Sequence, residues 1–425
     1  MINKCLFLSV VFSAFTVGAM AQAPRGVVYI ESNVGHVPGN NSILGFKRDD
    51  AGRLAPLGEF STGGTGVHPL AINPGNLAGT LGPFDSDQNL IFNWDATRVF
   101  AVNSGSDTIA VFDAQSDGSL VAVKGSPFPS GGTQPVSLGL AAGGDILTVA
   151  NKDYDLTRPG FAASRRKPNY SAFRVNPNGK LIPVPHSTIV AGEGGGTGPG
   201  NPTPTQMLVS PTGKLVFDAD TFGTAIHSFT VGNNGRLERA ASHGTPASER
   251  APIPPFGDLL PNPAGRPFVL GLIGHPHEPV FYAGFVFEGR VGVYTYDRTG
   301  EFHFVRSTEA GLGLCWLEVN ASGDRVYTSN TLLNSISVLD TSDPLKPVKI
   351  QDFTLAGPPA GSEQMSLDAK GEYLYVISQQ ALVGMPPESN ALHVLRIAPD
   401  GTIAAQTDRV TIPVSPSIPQ GVIAK

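Results

Sequence analysis

The 425-residue sequence carries only two cysteines, Cys5 and Cys315. Cys5 stands inside an N-terminal stretch with the pattern of an export signal, which leaves Cys315 as the single thiol of the expected mature chain. One thiol makes no intrachain disulfide, so stability has to come from apolar packing. Charge is also sparse: Asp, Glu, Lys and Arg make up 15% of residues, the net charge is −6 and the isoelectric point is near 5.8. That balance excludes the basic surface a nucleic-acid partner requires. Long hydrophobic runs are missing as well, and the apolar stretch from Leu6 to Val17 is too short to span a bilayer. Preceded by Lys4 and followed by Ala19-Met20-Ala21, it reads as a secretory signal cleaved near Ala21. Residues 1–21 are then a signal peptide, 22–425 a single domain, and the mature protein periplasmic or secreted. The sequence points to no cofactor, no metal and a monomer.

What the chain has in abundance is glycine (51) and proline (37), spaced between short alternating strands. The stretch from Leu314 to Asp340 shows the unit: an apolar run, a Ser322-Gly323-Asp324 turn, a second run through Val326 and Tyr327, polar Asn330, then a third run through Ile336 and Val338. Copies recur. Asn103 opens NSGSDTIAVFD and Asn330 opens NTLLNSISVLD, while Asp220 opens DTFGTAIHSFTV. Each unit closes with a glycine turn and a fourth strand, as in DGSL at Asp117, NGKL at Asn178, NGRL at Asn234 and DGTI at Asp400. Asn103 to Asn151 and Asn330 to Ser378 are each 48 residues, the period of a four-stranded propeller blade. The predicted fold is all-β, a seven-bladed β-propeller of antiparallel blades. First strands are expected near Gln88, Gln134, Gln206, Phe268, Cys315 and Gln364. The N-terminal unit begins at a second strand, VVYIESN, and the C-terminal PQGVIAK supplies its missing first strand. Joining the two closes the ring and removes both free sheet edges.

Strand alternation assigns the loops to two faces. Turns after first and third strands are terse, as at Asp95-Ala96-Thr97 and Pro211-Thr212-Gly213. Every long insertion (61–87, 153–168, 191–204, 245–266 and 381–389) falls on the other face, the mouth. Residues that start first strands or end second strands gather there: Gln88, Asn103, Gln134, Asn151, Gln206, Asp220, Asn330, Glu363, Gln364 and Gln420. Amides near a propeller axis either satisfy backbone groups of the adjacent blade and hold channel water, or hydrogen-bond a polar ligand. Both readings stay open. The candidate ligand-binding set is Gln134, Asn151, Gln206, Asp220, Trp316, Asn330, Glu363 and Gln364, with Arg165 and Arg166 of the inserted loop DLTRPGFAASRRKPNY as a grip for an anion. His275-Pro276-His277-Glu278 falls in a turn opposite the mouth, and proline breaks the helical spacing that zinc enzymes use.

Through its repeats the chain resembles the lactonase-type seven-bladed propellers, which include propeller phosphogluconolactonases and carboxymuconate-lactonising enzymes. Tyr327-Thr328-Ser329-Asn330 and SISVLDTSDP also resemble YVTN-type secreted propellers. The lactonase resemblance implies a small lactone, of sugar-acid or muconate type, hydrolysed or isomerised at the mouth. That family carries Gly-Pro-Arg-His with a Glu sixteen residues after the Arg, and Pro-His-Pro-His-Gln at another blade. Here the first frame falls on Gly313-Leu314-Cys315-Trp316 with Thr331 at the Glu position, and the second on Pro202-Thr203-Pro204-Thr205-Gln206. Threonine does not shuttle protons near neutral pH, and cysteine gives no bidentate hold on an anion. No catalytic residue is therefore assigned, and the alternative is a non-catalytic ligand- or protein-binding propeller.

Overall fold

The second strand of each repeat is covered on both faces, which explains why its sequence is almost continuously apolar. In Arg325–Asn330, Val326 packs into the cluster of Tyr282, Val293 and Leu314 on one side, and Tyr327 into that of Met365, Leu374 and Val376 on the other. Each sheet thus buries itself against a neighbour on either side, and the arrangement is satisfied only by a ring. The computed structural model describes residues 26–35, 39–67, 73, 89–158, 167–192, 200–250 and 265–425. The candidate signal at 1–21, Gln88, Arg165 and Arg166 lie outside those residues.

The described residues form seven antiparallel sheets, six of them built outward from the axis in chain order. In blade 6 the strands are Leu314–Val319, Arg325–Asn330, Ser335–Asp340 and Val348–Thr354. Blades 2 and 3 split the outer strand into two short pieces that both pair with the third strand. Blade 1 takes its innermost strand from the C-terminus. Gln420–Ala424 pairs antiparallel with Val27–Glu31, aligning Val28 with Ala424, Tyr29 with Ile423 and Ile30 with Val422. Two backbone hydrogen bonds between Val27 and Lys425, of 3.1 and 2.9 Å, finish the ladder. The expected count of seven and the closure by the C-terminal strand are both observed.

Blades are also stitched at the terse turns. Tyr29 Oη donates to the carbonyl of Gly118 at 2.6 Å, and Tyr327 Oη to that of Gly401 at 2.8 Å. Both acceptors sit in the third-to-fourth-strand turn of the next blade. There glycine is required, because its φ is +86° at Gly118 and +82° at Gly401. The DG pairs at Asp117-Gly118 and Asp400-Gly401 are therefore both turn formers and docking points for the neighbouring tyrosine.

The His275 cluster occupies the turn between Val269–Gly274 and Val280–Phe285 of blade 5, on this terse face. His275 Nδ1 accepts from the backbone N–H groups of His277 and Glu278 at 3.2 and 2.9 Å, and His277 Nε2 lies 2.9 Å from the carbonyl of Ala321. The two rings cap their own turn and tie it to blade 6. Replacing both by alanine (His275→Ala with His277→Ala) should lower stability by about 1–2 kcal/mol and leave ligand affinity at the mouth and metal content unchanged. A drop in either affinity or bound metal, read by titration and elemental analysis, would place the functional face wrongly.

Candidate functional site

Two glutamines at the mouth end of first strands, Gln206 and Gln420, join their blade to the next. Gln206 Nε2 donates to the carbonyl of Leu272 at 2.8 Å, and its Oε1 accepts the Leu272 N–H, so one amide mimics a strand partner for blade 5. Gln420 Oε1 accepts from Asn89 Nδ2 at 3.2 Å, and Gln134 Oε1 accepts the backbone N–H of Tyr154. Gln364 is buried within the first strand of blade 7. The amides that end second strands turn outward along their own blade. Asn330 Nδ2 donates to Ser335 and Ser337 at 3.2 and 2.8 Å, and Asn151 Nδ2 to Asn169 and Ser171 at 3.1 Å each. Each of these asparagines lies directly under a glycine of the incoming loop, Gly311 over Asn330 and Gly132 over Asn151, where a Cβ would collide with the amide. The repeated Asn–Gly contact fixes the loop that leads into each blade.

The strongest convergence lies between blades 6 and 7. Glu363, from the first strand of blade 7, accepts from Trp316 Nε1 at 2.7 Å through one carboxyl oxygen. Its other oxygen lies 3.1 Å from Thr331 Oγ. That hydroxyl is also 2.9 Å from Cys315 Sγ and 2.8 Å from the carbonyl of Ser362. The sixteen-residue interval seen in the sequence thus brings Thr331 onto Cys315, with Glu363 as a third member that the interval does not include. Trp316 is fully buried beneath the carboxyl group and orients it, while Glu363 itself keeps 7% of its surface exposed.

Around this acid the mouth is asymmetric. An aromatic belt follows the ends of second strands in blades 3, 4 and 5. Tyr154 meets Phe222 with ring centres 5.6 Å apart, Phe222 meets Phe268 at 5.8 Å, and Phe268 meets Phe287 at 5.6 Å. Leu270, Val286, Cys315 and Trp316 complete the same cluster. The belt is visible in the sequence once the blade register is known, as the apolar residue two or three positions past the strand end in NKDY, DTF, FVF and NTL. The expected anion grip, Arg165 and Arg166, lies outside the described residues. Arg158 grips Asp107 through two hydrogen bonds of 2.7 and 2.9 Å and clamps its loop to blade 2. Lys152, next to Asn151, is a fully buried lysine at the mouth, its backbone N–H donating to Gln134 at 2.8 Å. Its burial has no signal in the residue pattern.

Two further carboxyl groups are buried at blade joints. Glu31, ending the second strand of blade 1, has Oε1 on Asn41 Nδ2 at 2.7 Å while Oε2 has no hydrogen-bond partner among the described residues. Burial pushes its pKa up to about 8 against the lowering effect of Asn41. Asp218 in blade 4 accepts from Tyr170 Oη at 2.6 Å, and burial, opposed by His227, pushes it up to about 7. Asp220 accepts the N–H groups of Thr203 and Gly223 at 2.7 and 2.9 Å. Together with the Thr205 N–H on Asp218 at 3.2 Å, these bonds hold the Pro202–Gln206 segment across the blade. Toward the terse face the axis narrows to a cavity of 290 Å³ lined mainly by apolar first-strand residues such as Ile91, Ile273, Met365 and Ile423. Among the described residues no group of three or more His, Cys, Asp or Glu is arranged for a metal ion. No helix among them is long and apolar enough to cross a membrane.

Solved structures share this architecture end to end. The periplasmic gluconolactonase PpgL of Pseudomonas aeruginosa superposes with a TM-score of 0.65 at 16% identity, covering 94% of this chain and 98% of that one. The fold is that of the lactonase-type propellers. A candidate 6-phosphogluconolactonase from Bacteroides uniformis gives 0.65 at 17% identity over 95% and 100% of the two chains. Another from Bacteroides fragilis gives 0.63 at 14% over 96% and 100%. No protein-family model matches the sequence, and no curated protein does. At these identities the lactonase-type propellers share the fold with this chain, and its chemistry has to be argued from its own residues.

Proposed function

We propose that this protein is an exported lactonase-like propeller that opens or isomerises a small cyclic ester at the mouth, with Glu363 as the proton-transfer group. The observation that supports the reading is the seat of Glu363. A buried carboxyl group at the mouth end of its strand is fixed through one oxygen by the Trp316 indole and approached at the other by the Thr331 hydroxyl, beside Cys315. As a general base it takes a proton from water, which adds to the lactone carbonyl carbon. The ring C–O bond then breaks, and the departing alkoxide takes a proton to give the hydroxy acid.

The replacement of the family's Arg, Glu and His positions by Cys315, Thr331, Thr203 and Thr205 favours a second reading, a propeller that binds such a ligand without turning it over. A panel of aldonolactones and muconolactones, followed by a pH indicator, separates the two. Under the first reading Glu363→Gln should reduce turnover by about 10²–10⁴-fold with little change in melting temperature. Turnover that survives the substitution would remove Glu363 from the chemistry. Binding without turnover, in the wild type, would select the second reading.

A further inference from the structure

Blade 4 carries a second constellation, at the perimeter of the ring and away from Glu363. Ser242 lies on the outermost strand, Leu237–Gly244, directly opposite His227 on the third strand, which in turn faces Asp218 on the second. Ser242 Oγ is 2.7 Å from His227 Nδ1, and His227 Nε2 is 3.5 Å from Asp220 Oδ2. The other oxygen of Asp220 accepts two backbone N–H groups, which fixes that carboxylate and leaves Oδ2 aimed at the ring. A carboxylate only accepts, so the proton of a neutral imidazole belongs on Nε2. Nδ1 is then the acceptor for the serine hydroxyl. Exposure follows the same order: Asp220 and His227 are buried, and Ser242 is open to solvent.

We propose that Ser242, His227 and Asp220 form a nucleophile, base and orienting acid able to cleave small, unhindered carboxylic esters at the rim of blade 4. A hydroxyl within hydrogen-bond reach of an imidazole, itself held by a third group, is the geometry of an activated serine. A cross-strand Ser–His pair made only for structure needs neither the fixed carboxylate behind it nor an exposed hydroxyl in front. In the reaction Ser242 Oγ bonds to the acyl carbon as its proton passes to His227 Nδ1. The adduct collapses by breaking the bond to the alcohol oxygen, and the alcohol leaves with that proton. Water repeats the two steps on the acyl-serine, which frees the acid and restores the hydroxyl. Asp220 keeps its place on Nε2–H throughout. The open position of Ser242 favours short acyl groups that reach it directly from solvent.

A fluorophosphonate probe reports this chemistry without a known substrate, since a serine oxygen displaces fluoride from phosphorus only when activated. Peptide mass mapping should find the adduct on Ser242, and Ser242→Ala should abolish it at that peptide. His227→Gln should slow labelling by about 10²-fold or more. An adduct elsewhere, or equal labelling in the His227 variant, would overturn the proposal. Because His227 is buried, Ser242→Cys gives a measurement with the base intact. At pH 6 its thiol should react with iodoacetamide at least about tenfold faster than that of Ser116→Cys, in an exposed turn of blade 2. Equal rates at the two positions would likewise defeat it.

Discussion

Deleting residues 419–425 should abolish cooperative folding near physiological temperature or lower the melting temperature far more than any loop trim. The segment contributes a whole strand. Its ladder on Val27–Glu31 is lost, Val422 leaves the cluster shared with Tyr375 and Leu392 of blade 7, and Ile423 leaves the one shared with Val99 of blade 2. Pro419 also gives its carbonyl to Gln379 Nε2 at 2.6 Å, so blade 7 loses a contact to the closing segment. Removing one large buried aliphatic group costs about 2–5 kcal/mol, and here buried Val422 and half-buried Ile423 go together with their strand. The loss, roughly 5 kcal/mol or more, is comparable to the whole stability of an ordinary domain. Removing Lys425 alone forfeits the terminal pair of backbone hydrogen bonds and the Nζ contact to Ala96 but keeps the strand, and serves as the control. Calorimetry of the two truncations decides the matter. If the long truncation melts with the control, the C-terminal strand does not carry the closure.

The ring itself was legible because it is made by period and punctuation. A 48-residue repeat, glycine turns at fixed offsets and a leading unit without its first strand leave few alternatives to a closed seven-bladed circle. Side-chain direction at the mouth was less legible. Asn151 and Asn330 occupy strand ends that a repeat alignment assigns to the mouth, yet their amides bond serines and an asparagine of the adjacent third strand. Alignment gives the height of a residue along the blade, and the neighbouring polar groups decide where its amide turns. Arg158 shows the same limit for charge: it lies in the loop that carries the expected anion grip, and Asp107, fifty-one residues earlier, takes it. Glu363 belonged to the mouth set from the start, but its link to Trp316 crosses from one blade to the next and has no sequence interval to reveal it. The family frame located Cys315 and Thr331 and stopped one residue short of the carboxyl group they surround.

Stability should fall as pH rises from about 6.5 to 8, the reverse of ordinary carboxylate behaviour, and Glu31 should be the main cause. Its folded pKa, near 8, lies above the usual Glu value because the group is buried between blades 1 and 2, where among the described residues Oε2 has no hydrogen-bond partner. The native state therefore holds a proton that the unfolded chain has released, and each unit of pH in that window costs up to about 1.4 kcal/mol. Asp218, raised to about 7, adds to the slope at the lower end and is spent above it. His393 works in the other direction at lower pH. Burial and the nearby Arg409 hold it down to about 4, so the unfolded chain takes up the proton first as pH falls below the ordinary histidine value. Between about 4 and 6.5 its loss of stability on acidification offsets about half of the gain from the two carboxyl groups. Above 6.5 the histidine is neutral in both states and nothing offsets Glu31. Glu31→Gln keeps an acceptor for Asn41 and carries no titratable proton. Chemical denaturation at pH 6.5, 7 and 8 should show a falling free energy in the wild type, and Glu31→Gln should flatten most of that fall and exceed the wild type at pH 8. Parallel curves for the two proteins would mean that Glu31 is ionised in the folded state, with its second oxygen solvated through the blade joint.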